Sequence, residues 1–153
     1  MGAVLSLRHR MDCGDWLALV GENWTTSDNI RDYVRELRCA LGTAGPLLHM
    51  ITSMERAAYA ALPDMLTVYR GCSARHLTGA SWSLEEDVAR NFPKLNRYRV
   101  PDPVLVTVTV RKENVLAVKL DREEHEIITS QFDPASEFVP NIRAVRRPCC
   151  TGL

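Results

Sequence analysis

At 153 residues, with 46% hydrophobic and 25% charged side chains, the chain has the size and balance of a single folded domain over 1–153 that buries a core without staples. Nineteen Lys plus Arg against nineteen Asp plus Glu leave a formal net charge of zero, which excludes a global field drawing the protein onto nucleic acid or a membrane. Five cysteines, an odd number without CxxC spacing, argue against a zinc site and against a secreted disulfide framework.

The chain begins Met1-Gly2-Ala3-Val4-Leu5-Ser6, a loose match to the myristoylation pattern that carries no assignment of a lipid anchor. There is no signal-peptide layout and no apolar run near the ~20 residues of a membrane span. A cytoplasmic protein with no membrane partner is expected.

A helical part is predicted over about 12–62, a strand-rich part over 64–142 and a frayed tail over 143–153. From Ser27, a candidate N-cap, Ile30, Tyr33, Val34, Leu37 and Leu41 recur at helical spacing up to Gly42,. A second helix is predicted from Pro46, with Leu47, Met50, Ile51, Met54, Ala58 and Leu62 on one stripe, ending before Pro63,. Residues 65–70 alternate like a strand that stops at Gly71. Residues 84–92 read as a short helix capped by Ser83, with Glu85, Glu86 and Asp87 in its first turn and Pro93 at its end,. Lys94, Arg97 and Arg99, with Tyr98 among them, form a basic loop suited to phosphate, an acidic target or nucleic acid,. Residues 104–110 give the clearest strand, every valine on one face and Thr107 and Thr109 on the other,. Shorter strands are predicted at 115–118 and 126–129.

Three segments put polar groups at strand ends: Tyr69-Arg70-Gly71, Ser81-Trp82-Ser83 and Glu124-His125-Glu126. Each alone has an ordinary reading: a surface salt bridge, a strand followed by a helix cap, a solvated acidic turn. The other histidines, His9, His49 and His76, have no metal-ligand spacing around them, and no metal is expected.

The ordered set is more informative than its parts. An aromatic-Arg-Gly strand, Ser-x-Ser leading into a helix that ends Ala-x-x-Phe, and Glu-x-Glu followed by apolar strand residues together resemble the R-S-E class of ADP-ribosyltransferases. The resemblance runs from Leu66 to Thr129. It implies an α+β fold, N-terminal helices packed on a split β-sandwich of two small, mainly antiparallel sheets with an NAD⁺ cleft between them.

It also implies roles. Arg70 would bind NAD⁺ through its guanidinium fork. Gly71 would offer main chain to the nicotinamide amide, and the Ser81 hydroxyl would orient the catalytic glutamate. Ser83 would close the strand, and Phe92 would line the nicotinamide pocket. Glu126 would be the catalytic carboxylate, stabilising oxocarbenium-like charge on the ribose. Glu124, on the same strand face, would activate the acceptor.

The implied function is mono-ADP-ribosyl transfer from NAD⁺ to a macromolecular acceptor, a protein side chain first and arginine favoured by Glu-x-Glu, as in compact toxin or phage effectors. The alternatives are an NAD⁺ glycohydrolase with the same site and an inactive binding module of the same fold. Nucleic acid as acceptor has only the basic loop in its favour. Residues 119–123 are short for the loop with which such enzymes select targets, so the acceptor stays open.

Overall fold

The computed structural model describes residues 1–27, 30–41, 47–95, 98–120, 125–129 and 141–144. The helical part starts earlier than predicted, with α1 (Gly2–Ser6). Its Val4 is buried and its carbonyl accepts the Trp16 indole N–H at 2.8 Å, which docks it on α2 (Cys13–Trp24). In α2 the Asp12 carboxylate accepts from the Gly14 N–H, and Trp16, Val20 and Trp24, four residues apart, share the buried stripe,. A 3₁₀ turn (Ile30–Tyr33) precedes α3 (Val34–Leu41), whose Leu37 and Leu41 are buried. The predicted cap Ser27 abuts 28–29, and those residues and Gly42 lie outside the described residues.

The second predicted helix is corrected. Residues 48–50 form a 3₁₀ turn, Ile51 is extended, and α4 runs only over Ser53–Ala61. The start is set by a capping box: the Thr52 hydroxyl accepts from the Glu55 N–H while the Glu55 carboxylate accepts from the Thr52 N–H at 2.7 Å. That reciprocal pair fixes an N-terminus more firmly than Pro46. Before it, Leu47 N–H donates to the Leu116 carbonyl at 2.8 Å, tying the segment to a strand.

The strands are β1 (Met65–Ser73), β2 (Ser81–Ser83), β3 (Pro103–Arg111), β4 (Val115–Lys119), β5 (Glu126–Thr129) and β6 (Asn141–Ala144). Between β2 and β3 lies α5 (Glu86–Asn91). Gly71 does not end β1 as predicted, because nine register pairs with β3 carry the strand through it to Ser73. The short helix is also shifted: Ser83 does not cap α5 but accepts the Glu85 N–H at 2.9 Å, and Glu85 is extended. The tail prediction fails for Arg143 and Ala144, which pair with Leu105 and Val104 on the open edge of β3. Residues 145–153 lie outside the described residues.

Among the described residues the strands form one sheet, β4-β5-β2-β1-β3-β6, with every pairing antiparallel. This corrects the prediction of two sheets, because β1 and β2 are bonded across the middle. The bond is narrow: Tyr69↔Ser83 is the one register pair joining them. The sheet is therefore two three-stranded halves meeting at a seam.

The halves cannot lie flat. From β3 to β4 are four strand intervals, roughly 19 Å in a plane, yet a single 3₁₀ turn, Lys112–Asn114, connects those strands. Such a turn advances only about 2 Å per residue. The sheet must curl until that edge approaches β3, and the cores agree: Val118 and Ile127 of one half share a cluster with Leu66, Val68 and the β3 valines of the other. The opposite face of β4 and β5 presents Leu116, Ala117 and Ile128 to the buried stripes of α2 and α3. A buried ion pair fastens α4 to β4, with Lys119 Nζ donating to Glu55 Oε2 at 3.3 Å and to the Met50 carbonyl at 3.2 Å. No described helix is long and apolar enough to cross a membrane.

Candidate active site

The seam opens into a cleft of about 400 Å³ whose lining includes Trp24, Arg70, Gly71, Ser81, Phe92 and Glu126. That volume falls within the range of small-molecule sites. Its residues come from α2, β1, β2, α5 and β5, so nothing local in sequence assembles it.

Glu126 is the first residue of β5 and pairs with Ser83 of β2 and with Lys119 of β4. Strand alternation puts Ser81, Ser83 and Glu126 on one face, while Trp82 and Ile127 go to the shared core,. Ser81 reaches diagonally across the pair, and its hydroxyl donates to Glu126 Oε1,. The same oxygen accepts the indole N–H of Trp24 at 2.9 Å. Glu126 is half-buried while Trp24 is 1% exposed, so the carboxylate is held by a donor with nowhere else to go.

Arg70 lies across the seam. Its Nη1 donates to the Ser81 carbonyl at 2.6 Å, linking β1 to β2 just beyond their one register pair. Its guanidinium lies against Gly79, where an added Cβ would fall 2.5 to 2.7 Å from Cζ, Nη1 and Nη2. The Gly79 carbonyl is held at 2.9 Å by the buried Trp82 indole N–H, and the Ala80 carbonyl by the Thr129 N–H at 2.9 Å. The platform under Arg70 is thus fixed from both sides. Beside it, burial pushes the Cys72 thiol above its ordinary value, opposed by the charge and hydrogen bond of Arg70 and reinforced by Asp102,.

The other predicted residues sit as follows. Gly71 lines the cleft, but the space a side chain would need is taken by α5: an added Cβ would lie 1.8 Å from the Ala89 carbonyl oxygen. Close packing alone accounts for a glycine here. Ser83 lines the cleft and bonds the Glu85 N–H. Phe92 is 37% exposed, outside the core, and stacks on Tyr98 with centroids 4.4 Å apart, both rings at the cleft. Glu124 lies outside the described residues.

His125 faces away from the cleft, exposed, with Nδ1 2.9 Å from Glu85 Oε1. In the basic loop Lys94 bonds Asn91 Oδ1 and Arg99 is exposed, while Arg97 lies outside the described residues. No His, Cys, Asp and Glu cluster able to hold a metal occurs among the described residues.

Sequence reasoning missed Trp24, Gly79 and the pairing of Tyr98 with Phe92. The one signal for Trp24 was its place on a buried helical stripe, since an indole N–H out of water needs an acceptor. Comparison with protein-family models, with characterised proteins and with solved structures finds no match.

Proposed function

We propose that the protein is an NAD⁺-dependent mono-ADP-ribosyltransferase acting on a macromolecule, a protein side chain first, and that its fold is ADP-ribosyltransferase-like, with one curled sheet in place of two separate ones. The observation that carries the reading is the meeting of Arg70, Ser81 and Glu126, 56 residues from first to last in sequence, around one cleft, with Ser81 hydrogen-bonded to Glu126. The division of the sheet into two curled halves, with the cleft at their junction, supports the fold part.

The chemistry fits the charges present. Breaking the bond between nicotinamide and ribose sends the electron pair to nicotinamide and leaves oxocarbenium-like positive charge on the sugar. A carboxylate held by the Ser81 hydroxyl and the Trp24 indole faces that charge already oriented, which lowers the barrier electrostatically,. Arg70, on the neighbouring strand of the cleft lining, contributes a permanent positive charge, the type of group that recognises phosphate or ribose oxygens,. An acceptor nucleophile then bonds to the ribose carbon and loses its proton, the step for which Glu124 is proposed.

The test is to incubate the protein and its Glu126→Gln variant with labelled NAD⁺ and a lysate, following free nicotinamide and label fixed to macromolecules. Wild type fixes label, and the variant, which keeps the shape but not the charge, falls at least about a hundredfold. Nicotinamide released with no label fixed would replace transfer by hydrolysis. The absence of both products would overturn the enzymatic reading.

A further inference from the structure

Three indoles are buried in this protein, and each finds an acceptor: Trp16 the Val4 carbonyl, Trp82 the Gly79 carbonyl, and Trp24 the carboxylate of Glu126. The first two bind main-chain carbonyls, as a buried indole in a core commonly does. Trp24 differs because its acceptor is an ionisable side chain on the wall of a cleft, 102 residues away in sequence. A charged acceptor makes this bond stronger than one to a main-chain carbonyl. Glu126 gains a rigid donor, because α2 holds the indole in a core with Val20, Leu37 and Met50, whereas Ser81 offers a rotatable hydroxyl.

We infer that Trp24 is a positioning residue: its indole N–H fixes the Glu126 carboxylate toward the cleft and favours its ionised form, making α2 part of the site. The functional half rests on the NAD⁺ reading; the geometric half does not.

Hydrogen bonds donated to a carboxylate favour the charged form, and removing one disfavours it. Ser81, Arg70, Lys119 and His125 each have a partner other than the indole. Ser81 keeps its hydroxyl on Oε1, and Arg70 keeps its bond to the Ser81 carbonyl. Lys119, opposite in register on β4, is committed to Glu55 and the Met50 carbonyl. His125 and Glu85 pair on the far face. Trp24→Phe removes the indole N–H from Glu126 Oε1, and the titration of Glu126 is compared with wild type on that basis.

The experiment uses the full chain labelled with ¹⁵N and with ¹³C at glutamate carboxyls. In Glu126→Gln the Trp24 indole resonance moves while those of Trp16 and Trp82 stay. In Trp24→Phe, which keeps an aromatic ring, the Glu126 midpoint rises above wild type. NAD⁺ turnover by Trp24→Phe falls roughly ten- to a hundredfold in kcat, the worth of a hydrogen bond to a charged group. KM changes by less than about threefold, because the loss is in the transition state, and the acid limb of the pH profile moves up with the carboxylate.

A Trp24 resonance indifferent to Glu126→Gln, or an unchanged Glu126 midpoint in Trp24→Phe, overturns the inference. The first comparison stands even where Trp24→Phe fails to fold. If wild type turns over no NAD⁺ while both NMR results appear, the NAD⁺ reading falls and the positioning of Glu126 by Trp24 stands.

Discussion

Replacing Gly71 with alanine separates two reasons for a glycine in the middle of β1. The added Cβ would lie 1.8 Å from the Ala89 carbonyl oxygen, 2.6 Å from Pro93 Cδ and 2.9 Å from the Ala89 carbonyl carbon. These are main-chain and ring atoms that cannot rotate aside, so α5 must retreat by about 1.2 Å before that oxygen clears the 3.0 Å limit for a Cβ contact. Retreat loosens the buried contact of Ala89 with Leu105. Overpacking of this kind costs ~1–3 kcal/mol, and a clash with main chain belongs at the upper end. At ~2–4 °C per kcal/mol for a chain of this length, the melting temperature falls by about 6–12 °C. Thermal unfolding followed by circular dichroism, with a urea titration to check that the slope is unchanged, measures it. A melting temperature within about 2 °C of wild type, accompanied by loss of NAD⁺ binding, would refute the packing argument and leave a ligand-facing role as the reason for the glycine.

Gly79→Ala should behave in the opposite way: the new Cβ meets only the far end of the Arg70 side chain, so stability changes by less than about 1 kcal/mol while ligand binding, read by calorimetry, drops as the guanidinium is displaced. Lys119→Met leaves Glu55 buried without its cation and costs about 3–5 kcal/mol in urea denaturation, with Glu55→Gln added to it recovering part of the loss. The raised Cys72 thiol, buried behind Arg70, resists iodoacetamide at neutral pH while the exposed Cys13 and Cys39 react, as peptide mapping would show,. Cys72 and Tyr59 are both raised by burial, so the folded state keeps protons that the unfolded chain releases. Their stabilisation is complete below the ordinary thiol value of 9.0 and is lost as pH rises through the folded values,; melting temperatures measured from pH 8 upward should fall.

What could be read from the sequence follows from how local each signal is. The valine and threonine alternation of β3 needs no partner to be seen, and β5 begins and ends as predicted because Glu126 opens a run of buried residues. The capping box at Thr52 and Glu55 was equally local, but Pro46 and an apolar stripe from Leu47 drew the helix start forward. β1 outran its prediction because Gly71, a usual strand breaker, is required there by a carbonyl from α5. β6 has no periodicity of its own and exists as the partner of an open edge. For the candidate site, the ordered motifs pointed to Arg70, Ser81 and Glu126. They were silent on Trp24 and Gly79, whose importance lies in contacts made across 102 and nine residues with side chains that no pattern links to them.

The seam has a mechanical consequence. β1 and β3 share nine register pairs, β1 and β2 one, so the main-chain bonding across the junction is far thinner than within a half, and side-chain packing in the shared core carries most of the join. A molecule touching Arg70 on one side and Glu126 on the other would act as a second rivet. Part of its binding free energy would then appear as resistance of the β2 amides to hydrogen exchange, and the protein would stiffen most at the place where its main-chain bonding is thinnest.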